Sequence, residues 1–309
     1  MNKEKVGLLV MAYGTPYQLS DIKRYYTHIR RGHEPSEAEL EDLVEKYKAI
    51  GGVSPFAKIT EAQAEALEAH LNEVQSKYEF KMYIGLRHIE PFIEEAVQKM
   101  AEDGIKKAAT IFLAPHYSNY SIQGYNGRAK EEADKHGITL WSVESWYDEP
   151  DFIQFWADGI KAIYDQMRPE EKEKTVTIFS AHSLPVRAVT EDDPYVEQLQ
   201  ATADLIAEKA SIDNYEIAWQ SEGNTPDPWL GPDVLDLTKD LHKEKGYTSF
   251  IYAPVGFVSD HLEVLYDNDY ECKEVCDEIE ANYYRPEMPN TDPGFIKAMG
   301  KAVLAKIQE

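Results

Sequence analysis

Seven short apolar runs punctuate the chain: VGLLVMAY, FKMYIGLRH, AATIFLAPHY, ITLWSVES, TVTIFSAHS, YEIAWQSE and SFIYAPVGF. Each ends in turn or polar residues, and helical patterns separate them. Runs this apolar read as strands buried on both faces, and strands alternating with helices build parallel sheets, because every parallel connection crosses over and covers a face. The expected fold class is therefore α/β, with parallel sheets flanked by helices. The clearest unit spans residues 80 to 115, where YIGLRH leads into a helix with Pro91 in its first turn, apolar positions at Phe92, Ile93, Ala96, Val97 and Met100, and Gly104 as its stop.

Upstream, Ser36 with Glu39 and Thr60 with Gln63 have capping-box spacing and predict helices over 37–49 and 61–76. The polar segment MRPEEKEKT (167–175) is turn-like, and TIFLAPHYS (110–118) echoes TIFSAHSLP (177–185). The echo suggests two related halves meeting at a cleft. With 309 residues the chain is long enough for two domains, expected over 1–150 and 151–309.

In open α/β sheets ligands bind beyond the carboxyl ends of the strands, so polar residues just after the apolar runs matter most. Tyr13 follows the first run, His88 the second, His116 and Tyr117 the third, His182 the fifth, and His261 with Glu263 the seventh. One histidine so placed is ordinarily structural. Five such placements point to a site, although spacing does not tell which of them converge.

The stretch DHLEVLYDNDYE (260–271) adds a second signal. On a helix turning about 100° per residue, Glu263, Asp267 and Glu271 drift only about 40° per step and form one acidic stripe, which a slightly widened turn aligns still better. A solvated helix face is the ordinary reason for such a run, and the same acids also suit a cation.

The net charge of -24 and pI near 4.8 argue against nucleic acid or anionic lipid as partners. An anionic ligand then needs a local basic patch. KRYYTHIRRGHEP supplies one through Arg24, His28, Arg30, Arg31 and His33, and reads equally as a helix end balanced by nearby acids. Trp229, in the rigid loop EGNTPDPWLGPDV, is either packing or pocket wall.

Motifs for several other chemistries are missing. There is no GxGxxG or GxxxxGK[ST] loop for nucleotides, Ser183 lacks a GxSxG elbow, and neither HExxH nor paired CxxC occurs. The only cysteines, Cys272 and Cys276, are one helical turn apart, which suits neither a disulfide framework nor an iron-sulfur cluster and fits a reducing compartment. The apolar run after MNKEK is short and stops at Gly14 and Pro16, so it reads as a first strand and not as a secretion signal. No segment approaches the ~20 apolar residues of a membrane span. A cytoplasmic protein is expected.

Together, GLLVMAYGTP, YYTHIRRG, IGGVSP, YIGLRHIEPFIEEAV, SAHSLP, WQSEGNTPDPWLGPDV and PVGFVSDHLEVLYDNDYEC resemble the ferrochelatases, lyases that insert ferrous iron into a porphyrin, over essentially the whole chain. SAHSLP and GFVSDHLEVLYDND carry most of the specificity. The chain is most similar to the short, soluble branch that acts on coproporphyrin III, since it shows no cluster cysteines, C-terminal extension or apolar membrane lip. The resemblance implies two Rossmann-like domains, the type II chelatase fold, with His182 and Glu263 together on one face of the macrocycle, where iron arrives and pyrrole protons leave. It implies Tyr13 on the opposite face, able to ligate the inserted iron. Arg30, Ser54 and Tyr125 match positions that hold propionates, with Lys46 and Tyr47 alongside. Lys46 replaces a frequent family arginine and so keeps the charge without the fork.

Asp267 and Glu271 are then expected to lead outward as a cation path or outer Mg(II) site. No organic cofactor is implied. The resemblance implies coproporphyrin III and Fe(II) as substrates; transient haem-pathway protein partners and a monomer are expected. Protoporphyrin IX as substrate, a haem carrier using Tyr13 without catalysis, and a cobalt or nickel chelatase are the alternatives. An incomplete site of one imidazole and one carboxylate suits a metal that must be released, whereas a closed cage would trap it. His182 serves as metal ligand or as base, and a rigid wall such as the Trp229 loop would enforce bending of the macrocycle.

Overall fold

A computed structural model describes residues 3–308; Met1, Asn2 and Glu309, at the outer ends of the expected domains, lie outside them. All seven apolar runs form strands: β1 (Glu4–Ala12), β2 (Tyr78–Leu86), β3 (Lys107–Phe112), β4 (Thr139–Ser142), β5 (Thr175–His182), β6 (Tyr215–Gln220) and β7 (Ser249–Ala253). An eighth, β8 (Asn282–Tyr284), was not legible in the sequence. The helices are α1 (Ile22–Ile29), α2 (Glu37–Ala49), α3 (Phe56–Val74), α4 (Ile93–Glu102), α5 (Ile122–His136), α6 (Pro150–Gln166), α7 (Pro169–Lys172), α8 (Tyr195–Ala210), α9 (Val234–Lys245), α10 (Lys273–Glu278) and α11 (Pro293–Gln308). A π-helix spans Val264–Cys272, directly before α10.

The strands form two four-stranded parallel sheets, ordered β2-β1-β3-β4 and β6-β5-β7-β8. The second order repeats the first, so β5 occupies the place of β1 and β7 that of β3. The sequence echo paired β3 with β5, which hold different places, so the repetition lies in the topology and not in that pair of segments. In each sheet the strand order reverses between the first and third strands, and that reversal opens the crevice in which ligands of such folds bind. The crevices lie at the ends of β1 and β3 and of β5 and β7.

Helix starts follow local chemistry. Ser36 and Glu39 close the expected capping box at α2. The expected start of α3 near residue 61 is corrected: the helix begins at Phe56, where Ser54 Oγ accepts the Phe56 N–H, 3.2 Å away. Thr60 and Gln63 are buried within that helix, and Gln63 Nε2 donates instead to the carbonyls of Val258 (3.0 Å) and Asn290 (2.8 Å). Pro91 also lies outside its helix, just before the Phe92 cap of α4.

One large core, including Leu67, Trp156, Phe179, Leu199 and Phe295, runs under both sheets. Smaller clusters cover the outer faces beneath α4 and α5 and beneath α9. Fully burying side chains of this size is worth about 1.5–3 kcal/mol each, so the shared core ties the sheets together. α11 packs back onto α3, α6 and β3, while Lys301 pairs with Glu149 and Asp151 at the start of α6. Among the described residues no helix is long and apolar enough to cross a membrane.

Candidate active site

His182 is the last residue of β5, and Glu263 caps the π-helix that follows β7, so both stand at the crevice of the second sheet. Their approach depends on Gly256. A Cβ there would lie 2.4 Å from the Ala181 Cβ, so only glycine lets the loop after β7 close on the end of β5. His182 Nε2 is then 3.7 Å from one Glu263 oxygen, and His261 Nε2 is 3.5 Å from the other.

The Ser183 carbonyl lies 2.5 Å from His182 Nδ1. A carbonyl only accepts, so Nδ1 carries a hydrogen and Nε2 is the ring nitrogen turned toward Glu263, where it offers a lone pair whenever it holds no second proton. Two acceptors facing each other favour whatever comes between them, a proton or a cation. Burial pushes the Glu263 carboxyl up, but the imidazoles of His182 and His261 and the Lys46 ammonium outweigh it and hold the group below its ordinary value.

The acidic stripe exists, on a helix of the widened kind. Asp267 and Glu271 follow Glu263 along the π-helix, Asp267 bonded to the Ser221 hydroxyl. Burial, with the neighbouring charges of Glu263 and Glu271, pushes Asp267 up to about 8, so it holds a proton at neutral pH. Burial also raises Glu271, against the pull of Lys46. Among the described residues no three His, Cys, Asp or Glu side chains converge as a ready metal cage.

Tyr13 leaves β1 with 37 % of its surface exposed. Burial of its hydroxyl end raises the phenol, helped by Tyr125 and Glu263 and opposed by Arg87. Glu263 also raises Tyr25, Tyr47 and Tyr125, so the carboxylate faces a tyrosine-rich wall from the first half of the chain.

The other expected ligand residues are mixed in their availability. Tyr47, Ser54 and Tyr125 are buried. Tyr47 lies 3.3 Å from the Thr15 hydroxyl and burial pushes it up to about 12, whereas burial raises the Tyr125 phenol against the pull of the Arg87 guanidinium, which lies 5.0 Å from its ring centre. The basic segment is largely balanced: Arg24 pairs with Asp21 and Glu90, and Arg30 Nη1 with Glu39 at 2.7 Å. Arg30 Nε is buried with no hydrogen-bond partner among the described residues.

Two of the four histidines placed after strands do not join His182. His116 is buried, bonds Thr202 at 2.9 Å and is pushed down to about 3 by burial, a structural histidine between the loop after β3 and α8. His88 packs on Tyr13 with ring centres 4.5 Å apart and touches His28 through Nδ1 at 3.0 Å; burial, with Arg87, His28 and Arg128, pushes it down to about 3. Trp229 donates to Thr225 (3.0 Å) and leans on Gly223, where a Cβ would meet the ring at 2.7 Å, so its indole braces its own loop. Cys272 and Cys276 are free and buried. His261 and Arg87 are site neighbours that the sequence did not assign a role, although His261 was noted for its place after a strand.

The chain is similar to known proteins over its full length. Curated relatives named coproporphyrin III ferrochelatase are 62% identical over 306 residues in Oceanobacillus iheyensis, covering 99% of this chain and 98% of the relative, and 62% identical over 309 residues in a Geobacillus species, covering 100% of both. The relative of that name in Bacillus subtilis is 61% identical over 308 residues, covering 99% of each. Among solved structures, SirB from Bacillus subtilis with Fe3+ superposes with a TM-score of 0.60 at 13% identity, covering 98% and 95% of the two chains. The sirohydrochlorin chelatase SirB of subspecies spizizenii with cobalt gives 0.58 at 11% identity, covering 99% and 96%. At those identities the likeness is one of fold, which is the expected type II chelatase fold. Residues 5–307 match the family described as Ferrochelatase, and with relatives this similar over their full length the chain belongs to the ferrochelatase family.

Proposed function

We propose that this protein inserts Fe(II) into coproporphyrin III to give the iron coproporphyrin of haem biosynthesis, with His182 and Glu263 as the catalytic pair. The observation that carries the reading is the facing of two acceptors, His182 Nε2 and a Glu263 oxygen, 3.7 Å apart in a member of the ferrochelatase family. Relatives of end-to-end similarity named for coproporphyrin III support that substrate. Fe(II) is substrate here, not a resident cofactor.

In the reaction two pyrrole N–H bonds break, their electron pairs bind Fe(II), and two protons leave. A neutral imidazole accepts such a proton near physiological pH, and a two-donor site holds iron loosely enough to let it go. Tyr13 faces the pair as the residue that ligates iron in the product. Arg30, Lys46, Tyr47, Ser54 and Tyr125 hold propionates. Asp267 and Glu271 form the outward path and an outer Mg(II) site, reached when Asp267 gives up its proton. We further read the chain as two domains parting near residue 150, and the protein as a cytoplasmic monomer that meets other haem-pathway proteins transiently.

The test is the absorbance change on adding ferrous iron anaerobically to protein with coproporphyrin III, in parallel with protoporphyrin IX. Conversion of coproporphyrin III at the higher rate is expected. Faster turnover of protoporphyrin IX would overturn the substrate, and no conversion of either would overturn the activity.

A further inference from the structure

Gln220, the last residue of β6, lies next to His182 and is almost fully buried. Its main-chain carbonyl accepts the Ser183 N–H at 2.7 Å, beside His182. Its side-chain amide reaches the other way. Nε2 donates to the Glu263 carbonyl at 3.0 Å and to Asn268 Oδ1 at 3.3 Å, while Oε1 accepts from Ser180 Oγ at 2.8 Å and from Asn268 Nδ2 at 3.2 Å. Both hydrogens and both acceptor positions of the amide are used, and a buried network so completely satisfied specifies one geometry.

Its partners have one thing in common. Glu263 caps the π-helix and Asn268 lies in its middle, also fully buried. A π-helix bonds N–H groups to carbonyls five residues back, a rare winding in proteins. Here an amide from another strand holds the cap carbonyl and, through a reciprocal amide pair, the middle of the helix. The same residue fixes Ser183, next to His182.

We infer that Gln220 is the positioning residue of this site: it sets the distance between His182 and Glu263 and, with Asn268, holds the π-helix in the winding that keeps Glu263, Asp267 and Glu271 on one face. The inference deepens the reading of His182 and Glu263 as the place where iron is handled, and rests on it. Gln220 itself touches no substrate. It acts on the metal and not on the porphyrin, so its loss separates the two substrates kinetically.

The test compares native protein with Gln220→Asn, Asn268→Gln and the double exchange, which restores the combined length of the amide pair. Each single variant is expected to lower kcat/KM for Fe(II) by about 10- to 100-fold, the usual loss when a group supporting a metal ligand is removed. Coproporphyrin affinity, read by fluorescence quenching, stays within about threefold of native, and the double exchange recovers a large part of the loss, as coupled residues do. Folded single variants that keep native iron kinetics, or a folded double exchange no better than the singles, would overturn the inference. If the amide variants do not fold, Ser180→Ala removes one bond to Gln220 Oε1 without adding bulk or charge; a loss of iron kcat/KM at unchanged porphyrin affinity supports the inference, and no loss overturns it. Native protein that inserts no iron at all would instead defeat the functional reading beneath it.

Discussion

The Lys46 ammonium, on α2, lies 5.3 Å from the centre of the Tyr266 ring on the π-helix, so the first half of the chain sets a positive charge over the outer end of the acidic face. Its nearest carboxylate on its own helix, Asp42, is 3.8 Å away. Lys46 lowers Glu263, Asp267 and Glu271 together, and the same field repels an incoming divalent cation. A charge of two feels that field twice as strongly as a proton does. Lys46→Met is therefore expected to lower KM for Fe(II) by roughly threefold at low ionic strength, with the difference fading as the Debye length shrinks to about 3 Å at 1 M salt. A raised KM, or one independent of salt, counts against this guarding role.

His182→Ala removes one of the facing acceptors and Glu263→Gln removes the charge and basicity of the other, without filling the crevice. General-base groups contribute about 10²–10⁴-fold to rate, so each variant should lose at least about 100-fold in iron insertion. Binding of coproporphyrin and of its iron complex should persist, because the proposed propionate and Tyr13 contacts are untouched. Steady-state insertion paired with a binding titration checks this; a His182→Ala protein that inserts iron at the native rate removes the imidazole from the mechanism.

Asp267 carries a sign that can be worked out. Its pKa is about 8 in the fold against 3.8 ordinarily, so the folded state binds the extra proton between those values and stability falls as pH rises through that window. Asp267→Asn keeps the shape and removes the titration. The variant is expected to gain thermal stability relative to native protein progressively from pH 5 to pH 8, and to lose whatever rise in iron capture the native enzyme shows as Asp267 ionises near pH 8. Thermal midpoints and kcat/KM for Fe(II) across that range decide it; parallel curves for the two proteins would falsify the assignment.

Strands buried on both faces write near-continuous apolar runs, which is why seven of the eight strands among the described residues could be read directly. The missing one, β8, is three residues long and only partly buried, leaving no pattern to find. That His182 and Glu263 lie at or after the carboxyl ends of strands was legible from their places in the sequence, but their pairing was implied only by the family resemblance. The site was illegible where partners come from far along the chain. Arg24 reads equally as a ligand-binding cation and as one balanced by acids until Glu90 is seen 2.7 Å away. His116 and His182 follow similar segments, yet one turns inward to Thr202 and the other outward to Glu263. Gln220 looked like any polar residue at a strand end, because its role exists only through the pairing of β5 with β6 and the winding of the π-helix.

Two glycines allow the effect of site geometry to be separated from that of packing. At Gly256 an added Cβ meets the Ala181 backbone at 2.7 Å, and the loop that must yield carries His261 and Glu263. At Gly300, on α11, it meets the His70 ring at 2.5 Å, in the contact between α11 and α3. Overpacking of this kind costs about 1–3 kcal/mol at either place. The cost should fall differently on function: Gly256→Ala pushes Glu263 away from His182 and lowers kcat for iron insertion, whereas Gly300→Ala lowers the thermal midpoint with kcat close to native below that midpoint. Melting curves measured with insertion rates on both variants distinguish the cases. Equal kcat in the two proteins would mean that the loop after β7 recovers its position, and that the approach of Glu263 to His182 does not depend on the absence of a side chain at residue 256.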